Sequence, residues 1–206
     1  GQNLAFGSYN CISQVYVIKC RKKAVTGLEI LKKNKNFTVF DLETTGLNPL
    51  TDSIIEIGAV KVRDGSITDS FLTFVNPGRP IPPDVSLING ITDDMVKDAP
   101  DISEVLPAFL QFVGDDTLVA HNAYYFDMKF LQAAACELGI VINNPVVDTL
   151  PLCRKLYPQF RNHRLGTIAR ELSINLDNAH RALHDAAATA GILIKCIEKL
   201  NKQDDI

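Results

Sequence analysis

Residues 37–46, "FTVFDLETTG", begin as a buried β-strand and then carry two acidic side chains where apolar ones would pack better. Alternate side chains of a strand share a face, so Asp41 and Glu43 point to one side and Leu42 points into the opposite layer. Two carboxylates about 7 Å apart repel each other, and burying either one without a partner is costly. We therefore expect a cationic group between Asp41 and Glu43.

The strand predicted at residues 37–41 opens a series of strands and helices. Two more strands are predicted at Ile54–Arg63 and residues 66–75, and the Asp-Gly pair of "RDGS" suits a hairpin turn between them. Helical spacing predicts helices at Ile102–Val113, 126–138 and 183–200, and short apolar runs predict strands at 118–120 and 146–147. This order predicts an α/β fold with a mixed five-stranded sheet, three antiparallel strands followed by parallel additions, and helices on both faces.

The segment between the third strand and the first long helix contains two short signals. Residues 76–84, "NPGRPIPPD", are predicted to form an extended connection, because proline cannot donate to a β-ladder. Thr92 then suits the N-cap of a short helix with Asp93 and Asp94 in its first turn.

Composition is that of a soluble globular protein, with 46% hydrophobic and 22% charged residues in a chain of 206. No apolar run approaches the roughly 20 residues that a membrane span requires. The 5 cysteines are odd in number and show no C-x-x-C spacing, which argues against a disulfide framework and a zinc site. We therefore expect a cytoplasmic protein with no membrane partner.

Charge is distributed unevenly along the chain, whose net charge is −3. Residues 1–36, here called the leader, carry seven basic side chains against Glu29 alone, a net charge of +6 that leaves −9 for residues 37–206. The leader also contains a strand-like run at 11–18, and the chain begins with Gly. The leader is interpreted as a tag scar, a linker or an edge strand. Its charge either attracts nucleic acid or forms a solvated surface, and charge alone favours the second.

Two further acidic residues and one histidine occupy unusual positions. Asp127 lies beside the apolar stripe of its helix, and Asp185 begins the Ala-rich face of the last helix. His180 precedes Asp185 by an offset of about 140° on a helix, which predicts that His180 lies on the entering loop. Each residue alone has an ordinary explanation as a cap, an ion-pair partner or a structural histidine. Carboxylate clusters without Cys ligands, however, suit Mg²⁺ or Mn²⁺, and two such ions can clamp a phosphoryl displacement.

Three motifs, "FDLETTGL", "HNAYYFD" and "HRALHDA", resemble in order and spacing those of the DEDD-h (DnaQ-like) 3′→5′ exonucleases, which have a ribonuclease-H-like fold. Within that family, "GITDDMVKDAP", "NPVVDTLPLCRKLYP" and "NHRLGTIA" are similar to the proofreading exonuclease domain of Gram-positive C-type DNA polymerase III. The resemblance covers about residues 37–200 and assigns residues 37–206 to an exonuclease domain. The leader lies outside it.

The resemblance implies metal-dependent hydrolysis of the terminal phosphodiester at a single-stranded 3′ end of DNA, releasing 5′-nucleotides. It implies that Asp41, Glu43, Asp127 and Asp185 bind two Mg²⁺ (or Mn²⁺) ions and that His180 is the general base. Asp41 would bridge the two ions, with Glu43 and Asp185 on the first and Asp127 on the second, largely through water. It also implies a polymerase in the same chain or complex as a partner.

Substrate contacts are expected around these residues. The candidates are Thr44, Thr45, Gly46, Leu47, Asn122, Phe126 and His180. Backbone N–H groups of the loop can reach the terminal nucleotide while Leu47 wedges against its base, although a plain turn is the alternative. A basic segment at 152–164 either grips phosphates and stacks bases or is helix surface with core aromatics. Its side chains are Arg154, Lys155, Arg161 and Arg164, with Tyr157 and Phe160 among them.

The second motif departs from the family pattern, because two tyrosines, Tyr124 and Tyr125, occupy a gap that usually holds one residue. Shifting the helix by one residue would rotate its apolar stripe by about 100° out of the core. We therefore predict a longer loop or a one-residue bulge at 123–125 that leaves Asp127 facing Asp41, with one tyrosine ring buried and the other exposed.

Two other classes of protein remain open from the sequence. A stand-alone exoribonuclease or DNA-repair exonuclease would use the same chemistry on RNA or on other DNA ends. A non-catalytic nucleic-acid-binding scaffold would lack one of the carboxylates or the histidine, and none of these is missing.

Overall fold

The computed structural model describes residues 27–177 and 179–204. The strand-like run predicted at 11–18 lies outside the described residues. The first described element is a helix, α1 (Gly27–Lys33), whose Leu31 is buried in the same cluster as Phe37 and Val39. The last ten residues of the leader therefore lie against the predicted exonuclease domain. Within the described ranges, no helix combines the length and the apolar character needed to cross a bilayer.

Five strands of the described residues form one mixed sheet. They are β1 (Asn36–Thr44), β2 (Ile54–Arg63), β3 (Ser66–Phe74), β4 (Thr117–Ala120) and β5 (Val146–Asp148). The spatial order is β3-β2-β1-β4-β5, with antiparallel pairing among β1, β2 and β3 and parallel pairing of β4 with β1 and β5. Asp64 and Gly65 both have positive φ in the β2–β3 turn, as the Asp-Gly pair predicts. The predicted sheet is confirmed.

Seven further helices follow α1 in the described chain. They are α2 (Pro83–Asn89), α3 (Asp93–Val96), α4 (Ile102–Val113), α5 (Asp127–Glu137), α6 (Thr149–Leu156), α7 (Leu165–Glu171) and α8 (Ala182–Asp204). Thr92 takes the N-cap position of α3, although its side chain makes no cap hydrogen bond. The extended connection predicted at 76–84 is wrong at its end, because Pro83 starts α2. Proline is tolerated there, since the first helical N–H groups have no partner in the helix.

β1 is longer than predicted, because its pairing with β2 continues past the apolar run. Asp41, Leu42 and Glu43 pair with Gly58, Ile57 and Glu56. The two acidic residues therefore lie within a central strand, where the neighbouring backbone holds them in place.

Helices cover both faces of the sheet, as predicted. On one face, Phe40 and Leu42 pack with residues of α4 and α5. On the other, Phe37 and Val39 pack with α8, α6 and α7. Because alternate residues share a face, Asp41 and Glu43 continue the row of Phe37 and Val39 and point toward the α8 side.

Candidate active site

Three predicted site residues from distant parts of the chain meet at the start of α8. One carboxylate oxygen each from Asp41, Glu43 and Asp185 lies within 4.8 Å of the other two. Asp185 is buried, and the two β1 residues are partly buried. An all-oxygen set at this spacing has the ligand chemistry that Mg²⁺ and Mn²⁺ prefer. The chain therefore contains an acidic cluster that can hold a divalent cation.

Gly58 allows α8 to come this close to the sheet. It pairs with Asp41 across β1 and β2, and a Cβ atom at position 58 would overlap the backbone of Ala182 and Leu183. This residue was not predicted from the sequence. Its signal was an isolated glycine inside the apolar strand "IIEIGAV", which indicates a close backbone approach.

Glu56 is a fifth carboxylate near the cluster, also missed by the sequence analysis. It is fully buried and lies opposite Glu43. Glu56 Oε1 accepts hydrogen bonds from Arg181 Nη2 at 2.7 Å and Arg181 Nε at 3.2 Å, and its Oε2 accepts from the Ala182 N–H at 2.9 Å. The negative charge of Glu56 is thus paired with a guanidinium, unlike the charges of the predicted metal ligands.

His180 lies on the loop that enters α8, as predicted from its offset to Asp185. Its backbone is left-handed, with φ 68°, and its side chain is exposed. The His180 N–H donates to Asp185 Oδ2 at 2.8 Å. This bond closes the turn between the two residues, and His180 is near enough to Asp185 to lower the pKa of that carboxyl.

Asp127 is the first residue of α5 and is almost fully buried. It lies outside the group of three, yet near enough that its charge contributes to the raised pKa of Asp41. The Met128 N–H donates at 3.0 Å to the Ala123 carbonyl oxygen, five residues earlier instead of the usual four. Such a bond accommodates one extra residue in a helical turn. This bond reaches from α5 into the turn of residues 121–126 before it, so the extra residue is accommodated upstream of the helix, as predicted, and Asp127 stays close to Asp41.

Neither tyrosine of the bulge is buried, so the prediction of one buried ring was wrong. Tyr124 is 46% exposed and Tyr125 is 74% exposed. The Tyr124 hydroxyl donates to the Val146 carbonyl oxygen at 2.8 Å, at the edge of the sheet. The small Ala123 is fully buried in the core instead. The two tyrosines point outward because Ala123 and the apolar residues of α5 already fill the core at this place.

Asn122 and His121, at the start of the second motif, are each held by polar groups from later in the chain. Asp148 Oδ1 accepts from the Asn122 N–H at 2.9 Å, where Asn122 has a left-handed φ of 67°. His121 Nε2 lies 2.9 Å from the His163 carbonyl oxygen. A carbonyl can only accept, so this nitrogen carries the proton.

Phe126, the residue before α5, contacts Phe130 with ring centroids 5.1 Å apart.

Burial is the first cause of the raised pKa values in the site. Burial, followed by repulsion from Asp127 and Asp185, raises the pKa of Asp41 well above its usual range. Burial also raises the pKa of Glu43 to about 7 and that of Asp127 to about 8. For Asp185, burial raises the pKa and the hydrogen bond from His180 opposes it. Carboxylates with such pKa values become fully ionised when a cation replaces their protons.

The loop after β1 is tied together by its own polar side chains. Ser53 N–H donates to Thr45 Oγ1 at 2.9 Å, and the Thr44 hydroxyl donates to the Gly46 carbonyl oxygen at 2.6 Å. Leu47, in contrast, is 84% exposed. The loop is therefore a turn held rigid by hydrogen bonds, and it exposes two apolar side chains, Leu47 and the 42% exposed Leu50.

Asn89, at the end of α2, is a further polar neighbour that the sequence analysis missed. Its Nδ2 donates to Glu43 Oε2 at 3.2 Å, and its Oδ1 accepts from the Ile91 N–H at 3.0 Å. Asn89 thereby orients the Glu43 carboxylate.

For the basic segment at 152–164, the charged side chains fit the first alternative, contact with phosphates, and Tyr157 fits the second, a core aromatic. Its four basic side chains, Arg154, Lys155, Arg161 and Arg164, are exposed. Tyr157 is buried, stacks on Phe160 with ring centroids 5.1 Å apart, and donates its hydroxyl to the Lys195 carbonyl oxygen at 3.2 Å. Tyr157 is thus a core aromatic and cannot stack on bases.

A family profile described as Exonuclease (RNase_T) matches residues 38–193. The DNA polymerase III PolC-type of Caldanaerobacter subterraneus subsp. tengcongensis is 49% identical over 178 residues, covering 86% of this chain and 13% of the relative. That of Bacillus subtilis is 49% identical over 170 residues, covering 82% of this chain and 12% of the relative. The chain thus spans about one eighth of the length of these curated relatives.

Solved structures give the same fold. Exonuclease X in complex with 5′ overhanging duplex DNA has a TM-score of 0.67 and 30% identity, covering 80% of this chain and 93% of that chain. Exonuclease I of E. coli in complex with a dA16 oligonucleotide has a TM-score of 0.73 and 18% identity, covering 84% of this chain and 42% of that chain. The ribonuclease-H-like fold predicted from the resemblance is confirmed.

Proposed function

This chain belongs to the Exonuclease family, and from that premise we propose that it removes 5′-nucleotides from the single-stranded 3′ end of DNA as the proofreading domain of a DNA polymerase III. One observation carries the proposal. The carboxylates of Asp41, Glu43 and Asp185 converge within 4.8 Å at the edge where α8 begins, beside buried Asp127.

We assign the metal ligands as follows. Asp41, Glu43 and Asp185, whose carboxylates cluster, would hold one Mg²⁺ or Mn²⁺. Asp41 and Asp127, whose charges are close enough to interact, would hold a second. Bound divalent cations offset the negative charge of the phosphate and lower the pKa of water. The raised pKa values of Glu43 and Asp127 support this assignment, because a bound cation would offset the cost of burying these charges, which is the main cause of the rise, and also the weaker repulsion from neighbouring carboxylates.

His180 acts as the general base in this proposal. Its side chain is exposed on the loop, and its own N–H is fixed to Asp185. The neutral imidazole removes the proton from the attacking water.

The terminal nucleotide lies against the rigid loop after β1 and the second motif. Leu47 wedges against the base, the backbone of Thr44, Thr45 and Gly46 contacts the nucleotide, and Asn122 and Phe126 contact it from the turn before α5. The exposed basic side chains of segment 152–164 attract the strand behind it.

DNA and a polymerase context are both supported by similarity. Exonuclease X, 30% identical to this chain, is in complex with duplex DNA that has an overhang, and the PolC-type relatives extend far beyond the region matched here. The polymerase part of the same chain or complex is the proposed partner. Within this proposal the protein acts in the cytoplasm, where it proofreads newly made DNA.

The test uses single-stranded DNA and RNA of one sequence, labelled at the 5′ end. With Mg²⁺, the native protein should shorten DNA one nucleotide at a time from the 3′ end. EDTA should stop the reaction, and added Mg²⁺ or Mn²⁺ should restore it. Asp185→Asn should be inactive, whereas Asp69→Asn, which changes an exposed acid on β3, should keep native activity. Shortening in EDTA would contradict the metal assignment, and a preference for RNA would contradict the proofreading role.

The leader is proposed to add phosphate attraction to an otherwise acidic domain. Residues 1–26 contain Lys19, Arg21, Lys22 and Lys23 and no acid. Removing them, but keeping α1 because Leu31 is buried, should weaken single-stranded DNA binding and flatten its dependence on salt. Equal salt slopes with and without residues 1–26 would show that the leader is only a solvated surface.

A further inference from the structure

Glu56 is a buried carboxylate that the proposed metal site does not use. It lies on β2 directly opposite Glu43, and its side chain is 1% exposed. A buried carboxylate is stable only when its oxygens are paired and hydrogen bonded. Arg181 and the Ala182 N–H supply those partners.

The partners of Glu56 are the two residues that follow His180 in the chain. Ala182 is the first residue of α8, so Glu56 satisfies a helix N–H that has no partner within the helix. The Arg181 guanidinium also lies 5.5 Å from the Phe74 ring centroid on β3. The start of α8 is therefore attached to two strands of the sheet by side chains that belong to neither the metal site nor the general base.

This attachment holds a turn that is costly to form. His180 has a left-handed backbone, which residues with a side chain adopt only when surrounding contacts hold them there. From one side, Asp185 accepts the His180 N–H. From the other, Glu56 holds the next two residues. The position of the imidazole and that of the Asp185 carboxylate thus depend on one shared ion pair.

We propose that Glu56 and Arg181 are positioning residues for catalysis: they hold His180 and Asp185 in place against Asp41 and Glu43 without touching metal or substrate. The inference rests on the function proposed above. It predicts that weakening the Glu56–Arg181 pair lowers metal affinity and turnover together, while the substrate contacts made by other elements persist.

A matched pair of variants separates positioning from general stability. Glu56→Gln keeps the shape of the side chain and an acceptor for Ala182, but it loses the charge that pairs with Arg181. Asp116→Asn makes the same change in another buried, arginine-paired carboxylate of this sheet. Asp116 accepts from Arg63 Nη2 at 2.7 and 2.9 Å. It directly precedes β4, whose first residue pairs with Phe37, four residues before Asp41 on β1.

Calorimetric titration with Mn²⁺ in the absence of DNA gives a measurement independent of activity. Glu56→Gln should bind Mn²⁺ about 10- to 100-fold more weakly, and its kcat should fall by a similar factor. Its KM for a single-stranded oligonucleotide should stay within about threefold of native, a change of under about 1 kcal/mol. Asp116→Asn should melt at a lower temperature yet keep native metal affinity and kcat.

Arg181→Lys provides a second, milder variant, because it keeps the positive charge but loses the two-point contact with Glu56. It should fall between native protein and Glu56→Gln in Mn²⁺ affinity. If Glu56→Gln does not fold, Arg181→Lys becomes the deciding variant. A native Mn²⁺ affinity in Arg181→Lys would then overturn the inference. Equal losses of metal affinity in Glu56→Gln and Asp116→Asn would also overturn it. Absence of metal-dependent activity in the native protein would instead reject the proposed function itself.

Discussion

Asp41 and Gly58 face each other across β1 and β2, and the space that a side chain at position 58 would fill is occupied by the backbone at the start of α8. The carboxylate and the glycine act together. Asp41 supplies a charge on this face of the sheet, and Gly58 lets Asp185 approach that charge closely enough to share a cation.

Gly58→Ala should therefore damage both stability and activity. The added methyl group must displace α8, which costs about 1–3 kcal/mol in a packed interior and moves Asp185 away from Asp41. The melting temperature and the turnover number should both fall. Gly166→Ala is the control, because its Cβ would meet only Leu176 Cδ2 at 3.9 Å, and alanine favours a helix by about 0.5–1 kcal/mol. Native activity in Gly58→Ala would show that α8 can approach the sheet without the glycine.

Without metal, the protein should lose stability as the pH rises toward 8. The pKa of Glu43 rises from 4.5 to about 7 on folding, and that of Asp127 rises from 3.8 to about 8. Between the low and high values the folded state binds more protons than the unfolded state, so the free energy of unfolding decreases with pH. Melting temperatures in EDTA from pH 5 to 8 measure this effect.

Mg²⁺ should reduce that loss, because the cation takes the place of the protons. In EDTA, the melting temperature of Asp127→Asn should also decline less steeply with pH, because this variant lacks one of the carboxylates that bind extra protons in the folded state. A melting temperature in EDTA that stays constant or rises up to pH 8 would contradict the raised pKa values of these buried carboxylates.

His180→Asn should lower the rate of hydrolysis by about 10²- to 10⁴-fold, because an amide cannot take the proton from water. Asparagine tolerates the left-handed backbone of this position, so the turn and its N–H bond to Asp185 should persist. Mn²⁺ affinity should stay native. His184→Asn, which changes an exposed neighbour whose Nδ1 lies 2.7 Å from the Asp177 carbonyl oxygen, should leave the rate nearly unchanged. Equal rates in both variants would show that His180 is structural.

Deletion of Tyr124 should be tolerated, with activity within about tenfold of native. The deletion turns the five-residue bond from Met128 to Ala123 into an ordinary four-residue helical bond. It removes the hydrogen bonds of Tyr124 to Val146 on β5 and to Asp148. Asp127→Asn, three residues away, should abolish nearly all activity under the same assay. A Tyr124 deletion as inactive as Asp127→Asn would show that the bulge itself places the carboxylate.

Local patterns were enough to predict the sheet, most of its helices and the elements that carry the acidic residues. A period of two places Asp41 and Glu43 on one face, and the helical stripe that includes Phe130 requires Asp127 to stay in register, so the bulge in the turn before it was predictable. These predictions succeed because each depends on the backbone of a single strand or helix and on its own neighbours.

Tertiary structure alone decided how the elements of the site are held together. Glu56 and Arg181 are 125 residues apart, and no local pattern indicates that one accepts hydrogen bonds from the other. The contact of Gly58 with α8 and the bond from Asn89 to Glu43 likewise join distant segments. Burial of a charge or a close approach of two backbones is favourable only when a specific partner arrives from elsewhere in the chain, and that arrival is determined by the packing of the whole domain.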